Sequence, residues 1–291
     1  MAVKTKNSFG VGLGLRREHF SSLLNSYADC FPPEISWFEV APENYMDIGG
    51  KVYRDFLKLS EKVPVLAHSV SMSLGSLDPL NRPFLKKLKQ FIRTHKIPLA
   101  SDHISFSSYK GVQFDDLLPL PATEESVKHI SKRIRQVADM LEVPFAVENA
   151  SYYAPCGAPD MSEEEFVSAI IEESGALLLL DVNNIYVNSV NHKFDPDAYL
   201  KNLPLDKVAY VHIAGHWKKK DDFILDTHGD TIIEPVWDLL DTLASLTHLP
   251  GVLIERDDDI PPLEDMFVEL GRAQSILDKH QHSQGVLDVV A

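Results

Sequence analysis

The sequence predicts an α/β chain folded as a (β/α)8 barrel, with its functional groups at the C-terminal ends of the strands. Three observations lead there. Short apolar runs, partly β-branched, alternate with helical patterns along almost the whole chain. Eight strand–helix units can be counted, and a closed barrel is the economical way to build them. Acidic, histidine- and asparagine-bearing segments follow nearly every run, which is how a barrel gathers distant residues into one pocket. A doubly wound sheet, the second architecture open to such a chain, would place its ligands at one switch point instead.

The expected strands are 9–15, 37–41, 64–69, 99–104, 145–149, 177–182, 208–214 and 251–256. Their apolar character suits strands buried on both faces. Between them the helices carry recognisable punctuation. Thr123 can cap TEESVKHISKRIRQVADML, with Glu124 and Glu125 favouring the positive end of the helix dipole. Ser162 and Glu165 have capping-box spacing ahead of FVSAIIEES, and Gly175 is a natural stop. Asp195-Pro196 and Glu234-Pro235 each read as cap then proline. GVGLG at 10–14 has the wrong spacing and context for a nucleotide loop. One domain, 1–278, is expected, with a loosely ordered tail over 279–291.

The bulk properties narrow the function. A net charge of -15 argues against nucleic acid as partner, since such proteins carry a basic footprint. No apolar run approaches the length of about 18 residues that a membrane span needs. MAVKTKNSFG lacks the apolar core of a signal peptide, so a cytoplasmic chain is expected. Two cysteines make neither a disulfide framework nor a thiolate zinc site. Cys30 reads as buried packing, and Cys156 lies in a loop after the fifth strand, near the mouth of the expected site.

The strand ends read EVAPEN (39–44), LAHSVS (66–71), SDHISF (101–106), VENAS (147–151), LDVNN (180–184), VHIAGH (211–216) and LIERDDD (253–259), with DTHGD (226–230) in a loop. His68 and His103 end neighbouring strands. Glu148, Asp181 and Glu255 each follow three or more apolar residues, and a carboxylate carried into a core needs a cation. His212 repeats the pattern on the seventh strand. Three carboxylates and three histidines are the inventory of a two-metal site, since a carboxylate can bridge two ions. Asp226 and His228, with Asn183 or Asn184 and His192, could hold a third ion or form a hydrogen-bonded loop. His216 could touch substrate, whereas Asp257, Asp258 and Asp259 read as a solvated turn. His95, His129 and His248 read as surface residues of helices.

HSVSMSLG, SDHISF, VENAS, LDVNNIYVN, VHIAGH, DTHG and LIERDDDIP, in this order, resemble the multinuclear non-haem iron-dependent oxidative enzyme family, that of the methanobactin biosynthesis oxidase. The resemblance implies a TIM barrel of xylose-isomerase type that holds two or three irons, with zinc or manganese open as the metals found on isolation. Carried over residue by residue, His68, His103, Glu148 and Glu255 would hold the first iron. Asp181 and His212 would hold the second, with Glu148 and Glu255 as bridges, so that Glu148, Glu255 and Asp181 sit at the catalytic centre. Asn184, Asp226 and His228 would hold the third, with Asn183 left open as the alternative. Ser69, Asp102 and Asn149 would orient ligands. The implied chemistry is O2-dependent oxidation of cysteine in a ribosomally made precursor peptide, beside a small partner protein that recognises the peptide. The same residue types also suit a zinc hydrolase or endonuclease, a manganese sugar isomerase or epimerase, or an interaction protein that kept the barrel. Tyr152, Tyr153 and Trp217 are candidates for a partner-binding rim.

Overall fold

The computed structural model describes residues 9–154, 156–220 and 222–287. Eight parallel strands close into a barrel: β1 (Gly10–Gly14), β2 (Trp37–Val40), β3 (Val65–His68), β4 (Ala100–His103), β5 (Phe145–Glu148), β6 (Leu177–Asp181), β7 (Val208–Ile213) and β8 (Gly251–Ile254). Each strand pairs with its neighbours in sequence, and β1 pairs with both β2 and β8. That closure rules out the doubly wound alternative.

Helices return the chain between strands: α1 (Gly50–Ser60), α2 (Arg82–His95), α3 (Glu124–Leu141), α4 (Glu163–Ser174), α5 (Val182–His192), α6 (Pro196–Lys201), α7 (Glu234–Leu246) and α8 (Leu263–Leu287). The Thr123 side chain caps α3, the Ser162–Glu165 capping box closes on α4, Gly175 ends it at φ 73°, and Asp195 caps α6. Glu234 differs from its expectation. The N-cap of α7 is Ile233, and Glu234 instead accepts two hydrogen bonds from Arg272 of α8. Helix α8 runs through 279–287, so the expected loose tail is corrected to helix as far as Leu287, and 288–291 lie outside the described residues. Within that helix His280 pairs with Asp241 at 2.9 Å.

The period of two along a strand sorts the barrel's interior into layers. Trp37, Leu66, Leu99, Ala146, Leu179, Ala209, Tyr210 and Leu253 pack as one small cluster, distinct from the larger core between strands and helices. Two residues beyond several of these plugs stand polar groups: Glu39 after Trp37, His68 after Leu66, Glu148 after Ala146, Asp181 after Leu179, His212 after Tyr210, and Glu255 after Leu253. An apolar floor thus carries a polar layer at the C-terminal end. Strand β1 contributes glycines instead. A Cβ on Gly12 would lie 2.3 Å from the Trp37 ring, so the largest plug residue fits only against a glycine.

Candidate metal centre

Register brings the polar layer together. His103 lies opposite Glu148 across β4 and β5, and Asp181 lies opposite His212 across β6 and β7. His68, His103, Glu148, Asp181, Asn184, His212, His228 and Glu255 are all buried. Their ligand atoms form four overlapping groups, each compact enough to hold an ion: His68–His103–Glu148, Glu148–Asp181–His212, Asp181–His228–Glu255, and Glu39–His212–Glu255. Glu148, Asp181, Glu255 and His212 each belong to two groups. Glu255 groups with His212, the second-ion ligand it was expected to bridge to, and with His228.

Distances are short. Glu148 Oε2 lies 3.0 Å from His68 Nε2 and 3.2 Å from His103 Nε2. His212 Nδ1 lies 3.0 Å from Glu255 Oε2, and its Nε2 lies 2.9 Å from Glu39 Oε1. His228 Nε2 is 2.7 Å from Asp226 Oδ1. Even so, His103 Nδ1, Glu148 Oε2, Asp181 Oδ2, Asn184 Oδ1, His212 Nδ1 and both His228 nitrogens are buried without a hydrogen bond of good geometry. Buried polar atoms are rarely left so. Lone pairs that converge on shared points instead of on each other's hydrogens are what cation ligands require, so the residues fit metal ions on their own geometry.

Charge reinforces this. Burial alone would push the Glu148 carboxyl up, but His103, His212 and His68 outweigh it and hold the group well below the usual carboxylate range. Burial dominates at Asp181 and raises it well above its ordinary value, despite His228. Burial pulls His68 down, yet Glu148 and Glu39 prevail and lift it to about 9. His212 and His228 are likewise raised by their carboxylate neighbours, against burial. Protons thus fill the role that cations would take, and metal binding would displace them.

Further residues aim these groups. Ser101 Oγ bonds His68 Nδ1 at 2.9 Å and the Tyr210 hydroxyl at 2.8 Å, which turns His68 Nε2 into the site. Asn149 clamps the Asp181 backbone, donating from Nδ2 to its carbonyl and accepting from its N–H, both at 2.9 Å. Asp102 accepts from the His103 and Met72 backbone N–H groups, and Ser69 donates to Glu43. Asp181 is also the N-cap of α5, accepting from Asn184 N at 2.7 Å. His228 takes φ 48°, a sparsely populated conformation for a histidine, which turns its ring toward Asp226, Asp181 and Glu255.

Residues 10–278 match the family described as RiPP precursor modification enzyme MbnB/TglH/ChrH. The chain belongs to this family. Among relatives, a UPF0276 protein of Shewanella sediminis is 45% identical over 273 residues, covering 94% of this chain and 95% of its own. One from Nitrosospira multiformis is 42% identical over 94% of this chain and 95% of its own. In solved structures the same barrel recurs at low identity. An L-ribulose 3-epimerase superposes with TM-score 0.57 at 13% identity, covering 97% of this chain and 96% of its own. The D-psicose 3-epimerase of Clostridium cellulolyticum H10 gives 0.56 at 11%, covering 94% and 98%. These likenesses establish the xylose-isomerase-like TIM-barrel fold. Among the described residues no helix is long and apolar enough to cross a membrane.

Within this family member, the structure separates the two candidate asparagines. Asn183 is spent on neighbours, donating to Asp226 Oδ1 at 2.7 Å and accepting at 2.8 Å from the ring of His216. Asn184 faces the pocket with its Oδ1 unpartnered. His216 stacks on Tyr186 and stands behind Asn183, and burial lowers its pKa. His192 is not brought to the site. Its ring stacks on Tyr152 at 4.0 Å and bonds the Tyr152 carbonyl. Sequence reasoning missed Glu39, which hydrogen-bonds Tyr210 at 2.6 Å and approaches His212. Residues 257–259 are exposed, as a solvated turn would be, but Asp257 also pairs with Arg16 and lies 3.4 Å from His228 Nδ1, contacts the sequence did not signal. Cys30, expected to be buried, is exposed, as is Cys156. His95, expected on the surface, packs among Phe56, Phe91 and Tyr53.

Proposed function

We propose that this chain is a di- or tri-iron oxidoreductase that uses O2 to oxidise cysteine residues of a ribosomally made precursor peptide, in the cytoplasm and beside a small partner protein. Membership of a peptide-modifying family supports the substrate class. The observation that carries the reading is the set of four overlapping buried ligand groups with unpartnered atoms at their shared points.

His68, His103 and Glu148 would hold one ion, and Asp181 and His212 a second, with Glu148 shared between them. Asn184, Asp226 and His228 would hold a third. Glu255, grouped with both His212 and His228, would be a further ligand, and Glu39 would add a carboxylate beside His212. When bound, iron supplies a one-electron path to O2 and a partner for a thiolate sulfur. The chain's part is positional and electrostatic. The carboxylates that belong to two groups would offset the charge of the ions they hold. Ser101, Asn149 and Tyr210 lock the ligands in place. The floor of Trp37, Leu66 and Leu253 keeps water from below. Asp257, half exposed and 3.4 Å from His228 Nδ1, connects the buried site to solvent and can relay the proton that a substrate thiol gives up.

The test is metal analysis of anaerobically purified protein, paired with Mössbauer spectroscopy. Two or three irons per chain, followed by O2 uptake with a cysteine-bearing precursor peptide and its partner, is the expected result. Stoichiometric zinc or manganese that anaerobic reconstitution with ferrous iron does not replace would overturn it in favour of hydrolase or isomerase chemistry.

A further inference from the structure

A second cavity, of about 280 Å³, opens beside the metal pocket of about 240 Å³. Ala150 and Ser151, just past β5, line both, so two small side chains form the partition between them. Ser151 Oγ donates to Asp226 Oδ2 at 2.9 Å, which ties that partition to the metal centre itself. Pro119, Leu120 and Ala122 form another wall, and a backbone hydrogen bond from Asp160 N to the Ala122 carbonyl at 2.8 Å ties it to the 156–162 segment.

The two cavities differ in chemistry. The metal pocket is lined with carboxylates and imidazoles. The second is lined mainly by Ile104, Leu120, Met161, Phe166 and Val167, with no lysine or arginine. Its one acid, Glu163, is half-buried and accepts a hydrogen bond from Asn188 at 3.1 Å. A volume near the bottom of the range for ligand pockets, roughly 300–1,000 Å³, suits one side chain better than a whole cofactor.

We infer that this cavity is a specificity subsite, which receives an apolar side chain of the peptide next to the residue held in the metal pocket. The inference rests on the peptide-modifying reading above and adds to it a preference in the substrate. An extended chain laid over Ala150 and Ser151 can drop one side chain into each cavity. An acidic side chain in the second would meet Glu163 and no cation, so it is rejected.

Two synthetic peptides, acetylated and amidated at their ends, decide the matter. One has leucines flanking a central cysteine, the other aspartates. Binding to the full chain loaded with ferrous iron is measured anaerobically by calorimetry, for wild type and for two cavity-filling variants, Met161→Trp and Ala122→Phe. The leucine peptide should bind about tenfold or more tightly than the aspartate peptide, the scale expected for burying one leucine side chain. In whichever variant folds, that ratio should collapse to about twofold or less. Equal binding of both peptides, no binding of either, or a ratio unchanged in the filled variants overturns the subsite. A leucine peptide with alanine in place of cysteine separates the two readings. If it binds as tightly as the cysteine peptide, the thiol-at-metal reading fails while the leucine-to-aspartate ratio still reports on the cavity.

Discussion

Asp181 shows how much one side chain carries. Its Oδ1 caps α5, its Oδ2 is buried and unpartnered, the residue belongs to two ligand groups, and Asn149 grips its backbone from both sides. Replacing Asn149 with alanine leaves every ligand present but frees the strand end that aims Asp181. Metal affinity should fall roughly 10–100-fold, as for other orienting groups, read by competition with a chromophoric chelator. Unchanged affinity would remove Asn149 from the positioning set. Glu163 makes a different prediction. Burial raises its pKa from 4.5 to about 7, against hydrogen bonds that favour the anion. An acid so raised binds more protons folded than unfolded between those values, so its contribution to stability is lost as pH rises through about 7. Glu163→Gln should therefore be more stable than wild type at pH 8, by roughly 3 kcal/mol at most, and close to equal at pH 4.5. Urea unfolding at the two pH values checks this, and a variant less stable at pH 8 would contradict it.

At the scale of elements, the site depends on where loops are pinned. A Cβ on Gly215 would sit 1.9 Å from the carbonyl oxygen of Asp230, so the 226–230 loop rests directly on the end of β7. Gly215→Ala should push that loop away, taking Asp226 and His228 with it. The expected result is loss of the third metal ion with the other two retained, measured as metal per chain after dialysis. Retention of all three would show that the loop does not need this contact. The strands were legible because a barrel strand buried on both faces is an apolar run whatever its neighbours do, and all eight fall within the expected spans. Two hairpins were not. Phe106–Tyr109 pairs with Val112–Leu118, and Trp217–Lys220 with Phe223–Leu225. Both lie in polar loops whose period is masked by the ligand motifs beside them. The first had a signal, since Lys110 and Gly111 form a turn with both φ positive, at 50° and 75°. Glu39 escaped because its neighbours Trp37, Phe38 and Val40 read as an ordinary strand, although the two-residue step that exposed Glu148 and Glu255 applies there equally. Asn183 and Asn184 could not be told apart in sequence. Only the start of α5 immediately after Asp181 decides which of them faces the pocket.

The molecule as a whole concentrates its cost in one layer. Glu39, Glu148, Asp181 and Glu255 are buried within reach of one another, together with His68, His103, His212 and His228. Without cations, like charges and unpartnered atoms persist in a pocket largely shielded from water, which opposes folding. With cations, the same atoms become ligands and the opposition disappears. A ligand that binds only the folded state stabilises it by an amount set by its concentration relative to its Kd, about 4 kcal/mol at a thousandfold excess. For a chain of 291 residues that corresponds to a rise in Tm of roughly 7 °C. Metal-free protein should therefore melt well below protein reloaded anaerobically with ferrous iron. His68→Ala with His212→Ala, which removes a ligand from three of the four groups, should erase most of the difference while leaving the apolar floor of the barrel in place. Calorimetric scans with and without metal measure both. A Tm indifferent to metal in the wild type would mean that the polar layer is stabilised by its own ion pairs, and that the convergence of its lone pairs is not a metal site.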